Sequence, residues 1–495
     1  MVSKKPRPNK TLDRDLKSRV RLEQANIATR RAYIAPSIAG AFIILTGLIA
    51  SLFFGWNAQS YIIIAATAVG AYMALNIGAN DVANNVGPAV GSNALSMLGA
   101  LVIAAVFETA GALLAGGDVV GTISKGIIDP AAVGDPKVFI WVMFAALLSA
   151  ALWLNLATWL GAPVSTTHSI VGGVMGAGIA AAGFTAVNWA TMGKIAASWV
   201  ISPVLGGVVA ALFLWLIKAK ISDRKDKIAA ARKWVPVLIA IMAGAFSTYL
   251  AVKGLKKIVT IDLQTALYIG AIAFAATYFI ARPFIHRQSS GKANTKETVR
   301  GLFKLPLICA AALLSFAHGA NDVANAVGPL AAIVHTAEAA EVVSKVSIPL
   351  WVMGVGAVGI SFGLVLFGPK MIRMVGEQIT KLNPLRAYCV ALSAAITVIV
   401  ASGLGLPVSS THIAVGAIFG VGFFREAHWR FSTSDSKVEK IVASEASKQT
   451  SAKRKHRKLV RRTHFLTIIA AWVITVPAAA TLSACIFYIL NTFII

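Results

Sequence analysis

Gly78–Pro88 reads GANDVANNVGP, and Gly319–Pro329 reads GANDVANAVGP; ten of the eleven positions are identical. A second word follows each copy. Gly161–Gly178 is GAPVSTTHSIVGGVMGAG and Gly405–Gly422 is GLPVSSTHIAVGAIFGVG, with ten of eighteen positions shared. The first pair is offset by 241 residues and the second by 244. Two unlike words that recur at nearly one spacing identify a duplicated unit rather than low complexity.

The words sit in a strongly apolar chain. Of 495 residues, 57% are hydrophobic and 13% charged, and the mean hydropathy is +0.74. Soluble domains carry roughly 25% charged residues. A chain with so little polar surface is not a water-soluble enzyme, a disordered protein or a fibre. Long apolar runs recur at Ser37–Trp56, Ala94–Leu114, Val138–Leu160, Ile195–Ile217, Val235–Val252, Leu263–Ile280, Ile348–Phe367, Tyr388–Leu406 and Phe465–Leu490. Each is about the length a helix needs to cross ~30 Å of hydrocarbon. No apolar/polar alternation supports a barrel. The expected fold is all-α and polytopic, with about 12–13 transmembrane or re-entrant helices.

The charge is lopsided, 46 Lys+Arg against 20 Asp+Glu for a formal net of +26. Its placement decides what it means. Residues 1–31 hold ten basic side chains, 218–233 seven, 282–304 six and 425–462 twelve. Basic residues between membrane helices mark the cytoplasmic side. Nucleic acid is therefore not the expected partner of Lys453–Arg462 (KRKHRKLVRR); the bilayer and its anionic headgroups are. With the N-terminus cytoplasmic, helix parity starts the first repeat outside and the second inside. The repeats should be inverted, a common plan in secondary transporters, with substrate held between them near the midplane. This gives a basic tail at 1–33, an extra helix at 34–57, repeat 1 at 58–217, two linker helices at 218–304 and repeat 2 at 305–495, which contains the basic loop 425–462. A multi-pass protein of a bacterial inner membrane is expected. The apolar run after Arg31 is longer than the ~7–15 residues of a signal-peptide core.

The words carry the chemistry. Asp81 and Asp322 lie deep in apolar sequence, where an ionised carboxylate costs at least ~2.5–3.5 kcal/mol. Each has amide neighbours: Asn80, Asn84 and Asn85 in one copy, Asn321 and Asn325 in the other. Carboxylate and amide oxygens suit a hard cation such as Na⁺. Gly78 and Gly87-Pro88 bracket the first word, and a helix break there would free backbone carbonyls as further ligands. In PVSTTH and PVSSTH, Pro followed by hydroxyl residues signals a helix start. Helix N-termini with Ser165, Thr166, Thr167, Ser409, Ser410 and Thr411 would form an anion site without Lys or Arg. An anion beside two aspartates needs co-bound cations or protons, which is a physical reason for symport. Glu108 is a candidate proton-relay group. His168 and His412 read as packing hydrogen-bonders. Cys309, Cys389 and Cys485 lie far apart and suggest neither disulfides nor a metal cluster. The absence of a GK(S/T) phosphate loop speaks against an ATP-driven pump or other enzyme.

These four motif copies, in this order, resemble the inorganic phosphate transporter (PiT) family over residues ~60–424 and the last helix. The resemblance implies two inverted repeats and symport of inorganic phosphate with Na⁺ or H⁺. It implies cation ligation by Asn80, Asp81, Asn84, Asn321, Asp322 and Asn325. It also implies phosphate contacts at Ser165, Thr166, Thr167, Ser409, Ser410 and Thr411. Glu108 falls at the family's acidic FET position. An acidic position in the second repeat of animal members is Ala391 here, which departs from any two-glutamate mechanism. No cofactor beyond the co-transported ion is implied, and a homo-oligomer is compatible with the sequence. A sulfate permease of the same fold is the alternative, and an ion channel is disfavoured.

Overall fold

The computed structural model describes residues 33–55, 58–254, 261–339, 348–378, 382–440 and 462–493. The tail 1–31 and the part 441–461 of the basic loop lie outside the described residues. Helix α1 (Tyr33–Phe54) precedes the first half of the chain. That half comprises α2 (Ala58–Gly91), α3 (Met97–Ala115), the short α4 (Gly117–Gly121) and α5 (Pro130–Val133), α6 (Pro136–Leu160), α7 (Thr166–Ala182) and α8 (Trp189–Ile217). Two linking helices follow, α9 (Lys227–Tyr249) and α10 (Leu263–Ser289). The second half holds the short α11 (Lys296–Leu302), then α12 (Lys304–Asp322), α13 (Ala324–Ala339), α14 (Leu350–Gln378), α15 (Pro384–Gly403), α16 (Ser410–Lys440) and α17 (Arg462–Phe493).

Polar caps set where the apolar runs become helices. Ser96, Asp135, Asn188, Asp226, Asp262 and Asn383 each accept a backbone N–H in the first turn of the helix that follows. Such a side chain satisfies one of the amides that a helix leaves unpaired at its start. At Asp135 and Asn383 a proline takes the first helical position, where no N–H is needed. Because the caps lie in the flanking polar sequence, most helices extend past the apolar runs that announced them.

The bracketing Gly and Pro do not break the first word. Helix α2 runs through it from Ala58 to Gly91 with Pro88 inside. In the second word the helix is interrupted only at Val323, between α12 and α13. Membrane helices tolerate such prolines because neighbouring groups re-satisfy the backbone. The prolines still lack an N–H, so the carbonyls of Asn84 and Asn325 lose their usual helical partner four residues on.

The halves pack as pseudo-twofold mates. Gly78 of α2 lies against the Ile360 carbonyl of α14, and Gly319 of α12 lies against the Glu108 carbonyl of α3. Gly172 of α7 meets Val476 of α17, and Gly416 of α16 meets Pro203 of α8. Exchanging the halves converts each contact into its partner. A shift of 241 carries Gly78 to Gly319, 252 carries Glu108 to Ile360, 244 carries Gly172 to Gly416, and 273 carries Pro203 to Val476. Only glycine lets the backbones approach this closely, a recurrent device where helices meet in lipid.

Among the described residues, eleven helices are long and apolar enough to cross a membrane. This is an integral, multi-pass membrane protein. Helices α7 and α16 are not among the eleven. At 17 residues, α7 spans about 25 Å, short of the ~30 Å core. It forms a helical hairpin with α6, whose base is closed by an antiparallel bridge between Ile128 and Val187. Helices α15 and α16 form the mate. The two hairpin tips meet: Thr167 Oγ1 donates to the Val408 carbonyl at 3.0 Å. Two helix pairs whose tips meet at a common centre fit re-entrant hairpins. Counting each hairpin as no crossing instead of two leaves the parity expected from the sequence unchanged.

Candidate functional site

The duplicated words and the two hairpin tips converge. The PVSTTH and PVSSTH segments start helices, as their residues predict. Ser165 accepts the His168 N–H at 3.1 Å, and Ser409 accepts the His412 N–H at 3.3 Å. These two hydroxyls are therefore caps, each fixing the direction of a helix N-terminus. The next residues reach the aspartates. Thr166 Oγ1 lies 2.8 Å from Asp81 Oδ2 and 3.2 Å from Asp322 Oδ2, so its single proton serves two carboxylates. Thr411 Oγ1 donates to Asp81 Oδ1 at 2.9 Å, and Ser410 Oγ approaches Asp322 Oδ2 at 3.4 Å.

The asparagines lock this arrangement with pseudo-twofold pairs. Asn84 Nδ2 donates to Thr411 Oγ1 at 2.8 Å, while Asn325 Nδ2 donates to Thr166 and Thr167 at 3.1 and 3.3 Å. Asn80 reaches Thr158 and the Ala162 carbonyl in the first tip, and Asn321 reaches Ser402 and the Leu406 carbonyl in the second. Turned over, the Asn80 amide would instead donate to the Val164 carbonyl at 3.2 Å and to Asp81 Oδ1 at 3.3 Å. Asn80 and Asn321 thus tie the words to the tips, whereas Asn84 and Asn325 orient the hydroxyls.

One extension of the site has no mate. His318 stands between Glu108 and the aspartates: Nδ1 lies 3.2 Å from Glu108 Oε1, and Nε2 lies 3.1 Å from Asp322 Oδ2 and 4.0 Å from Asp81 Oδ2. Asn85 Nδ2 also donates to Glu108 Oε1, at 2.8 Å. The symmetry mates of His318, Glu108 and Asn85 are Ile77, Ile360 and Ala326. Sequence reading passed over His318. Its signal was available as the unrepeated residue directly before a repeated word. Ala391 lies on α15, so the place related to Glu108 belongs to Ile360.

The whole cluster is closed off. No side chain among Asn80, Asp81, Asn84, Asn85, Glu108, Ser165, Thr166, Thr167, His318, Asn321, Asp322, Asn325, Ser409, Ser410 and Thr411 is more than 2% exposed. Within it, Asp322 Oδ1, Asn321 Oδ1, Asn325 Oδ1, Asn85 Oδ1 and Glu108 Oε2 are buried acceptors with no hydrogen-bond partner among the described residues. Buried acceptors are costly unless something with positive charge or a proton meets them. Asp81, His318 and Asp322 also each offer a ligand atom within 4.8 Å of the others. Oxygen-rich, closed and spanned by two buried helix starts, the site has the chemistry of a cation pocket beside an anion cradle.

Comparison with known proteins decides the family. The profile of the Phosphate transporter family matches residues 77–483. The chain belongs to that family. It is accordingly a transporter and not an enzyme. A "Putative phosphate permease" of Helicobacter pylori (strain J99) is 46% identical over 518 residues, covering 95% of this chain and 97% of that protein. A Pyrococcus abyssi protein described as "Putative phosphate permease PYRAB14010" is 35% identical over 424 residues, covering 85% and 96%. A solved structure described as "The sodium-dependent phosphate transporter" matches with a TM-score of 0.78 and 35% identity, over 88% of this chain and all of that one. The family profile runs across both halves, both words and both hairpins.

Proposed function

We propose that this protein carries inorganic phosphate across a membrane together with a cation, by alternating access at the meeting point of the two hairpin tips. The observation that carries the reading is the set of unpartnered buried oxygens on Asp322, Asn321 and Asn325, next to two helix N-termini that bear hydroxyls. The oxygens call for a cation. The N-termini call for an anion. Neither word contains Lys or Arg, so an anion arriving beside Asp81 and Asp322 needs the cation to offset repulsion. Coupling follows from that electrostatics.

Na⁺ is the proposed ion, with Asp81 and Asp322 and the amides of Asn80, Asn84, Asn321 and Asn325 supplying or orienting hard oxygen ligands. The name of the matched sodium-dependent structure supports this choice. Thr166, Thr167, Ser410 and Thr411 would turn to the phosphate once the cation takes over the carboxylates, while Ser165 and Ser409 hold the helix starts. Phosphate near neutral pH keeps a proton that sulfate lacks, and an acceptor such as Glu108 Oε2 favours the protonated anion. The division into a tail 1–33, a helix 34–57, repeats 58–217 and 305–495 and a linker 218–304 is our reading, as are an inner-membrane location and a cytoplasmic N-terminus.

The test is uptake of labelled phosphate in proteoliposomes under separately imposed Na⁺ and pH gradients, with excess sulfate as competitor. Uptake driven by the Na⁺ gradient and resistant to sulfate is expected. Uptake indifferent to both gradients would refute coupling.

A further inference from the structure

Behind the hydroxyl motifs runs a ladder of four rings, two buried imidazoles between two half-buried indoles. Trp199 of α8 lies 3.8 Å from His168, His168 lies 4.4 Å from His412, and His412 stacks on Trp472 of α17 at 3.6 Å between ring centroids. The ladder obeys the pseudo-twofold. The shift of 244 carries His168 to His412, and the shift of 273 carries Trp199 to Trp472. The symmetry axis passes between the two imidazoles.

The rings are symmetric but their hydrogen bonds are not. Trp199 Nε1 donates to the Pro407 carbonyl at 3.2 Å, two residues before the Ser409 cap. Trp472 Nε1 is buried with no hydrogen-bond partner among the described residues. The mate of the Pro407 carbonyl is that of Pro163, two residues before Ser165. Pro407 is buried, whereas Pro163 is half-buried. Thr122 Oγ1 also reaches the Gly405 carbonyl of the second tip at 2.7 Å, whereas the lysine contacts are paired: Lys253 Nζ reaches the Gly403 carbonyl at 3.1 Å and Lys370 Nζ reaches the mate carbonyl of Trp159 at 3.3 Å. A buried indole N–H without a partner is costly. Its symmetry-related acceptor exists in the same molecule.

We propose that Trp199 and Trp472 are paired positioning residues forming a reciprocal latch. In the conformation seen here, Trp199 holds the second hairpin tip through the Pro407 carbonyl. When the two halves exchange conformations, Trp199 releases Pro407 and Trp472 donates to the Pro163 carbonyl, holding the first tip instead. Each indole thereby sets the position of one hydroxyl motif, and the His168–His412 contact keeps the two choices exclusive. Exchange of this kind is what inverted repeats permit. The inference rests on the alternating-access reading, but conformation can be read without measuring transport.

The experiment uses the full chain in proteoliposomes, with Cys309, Cys389 and Cys485 replaced by Ala and one reporter cysteine at either tip, Ala162→Cys or Leu406→Cys. Labelling by a membrane-impermeant thiol reagent is followed in Trp199→Phe and Trp472→Phe. Losing one buried hydrogen bond should move the population about fivefold. W199F should raise labelling at position 406 and lower it at 162, and W472F should do the reverse. Should W199F or W472F fail to fold, Trp199→Met and Trp472→Met remove the N–H from a side chain that still fills space, and the same opposed shifts are expected. Shifts in the same direction for both variants, or none, would overturn the latch. Opposed shifts with no phosphate uptake in any variant, including the parent, would support the latch and count against the transport reading.

Discussion

Glu108 and Ile360 occupy the same place in the two halves, each presenting its backbone carbonyl to the first glycine of a duplicated word. The backbone relation is shared and the side chains are not. One half therefore carries an acid that contacts His318 and Asn85, and the other carries an aliphatic residue in a wholly buried setting. The two words can bind alike while only one is wired to a further carboxylate.

That asymmetry gives the first prediction. Glu108→Gln keeps the acceptor for Asn85 and removes the charge facing His318, so the protein should fold while phosphate uptake falls about tenfold or more. Ile360→Val removes one methylene at the mate position, costing roughly 0.5–1.5 kcal/mol of stability. Its uptake should stay near wild type. Equal loss of uptake in both would show that Glu108 acts only through packing; monodisperse elution of each variant and initial uptake rates separate the cases.

Asp81→Asn and Asp322→Asn are nearly isosteric and should leave expression intact. Around Asp81 the hydroxyls of Thr166 and Thr411 can rotate to accept from the new amide. Asp322 differs, because its Oδ1 has no donor among the described residues. Both variants should lose coupled uptake by about 100-fold. The Asp322 variant should show the larger rise in half-saturating Na⁺ concentration. Wild-type uptake in either would refute its role as a cation ligand.

Much of this was readable from the chain. Residues 78–88 and 319–329 announce the duplication, and the charge map gives parity that the hairpins preserve. The helix starts at Ser165 and Ser409 follow from Pro and hydroxyl spacing. Tertiary partners were not readable. That Thr166 would bond across 156 residues to Asp322 depends on two hairpins meeting, which no local pattern encodes. His318 escaped because symmetry was the guide and His318 has no symmetric partner. The helix break expected from Gly87-Pro88 failed because packing in the membrane tolerates a proline inside α2.

The caps and the ligands should separate in mutants. Ser165→Ala removes the cap of α7 and should cost about 1 kcal/mol of stability. Its half-saturating phosphate concentration should rise only a few-fold. Thr166→Val removes the hydroxyl shared by Asp81, Asp322 and Asn325, so its half-saturating concentrations for phosphate and cation should rise together, by about tenfold or more. Thermal denaturation in detergent, set beside uptake kinetics, reads both. A Thr166 variant that lost only stability would mean that the hydroxyl is structural.

Gly319 tests whether the close approach of α12 to α3 is required. A Cβ at Gly319 would run into the backbone of Glu108, including its carbonyl oxygen, and backbone cannot turn aside as a flexible side chain can. Gly319→Ala should therefore push the two helices apart, at a cost of about 1–3 kcal/mol or more. It should also displace Glu108 from His318, so uptake should fall even in the fraction that folds. Gly301→Ala is the control, since a Cβ there meets nothing within 4 Å. In that α11 position alanine should be neutral or mildly stabilising, because glycine is the poorer helix former. If Gly319→Ala matched Gly301→Ala in yield, melting temperature and uptake, the backbone contact that sets Glu108 against the second word would carry no weight in the fold.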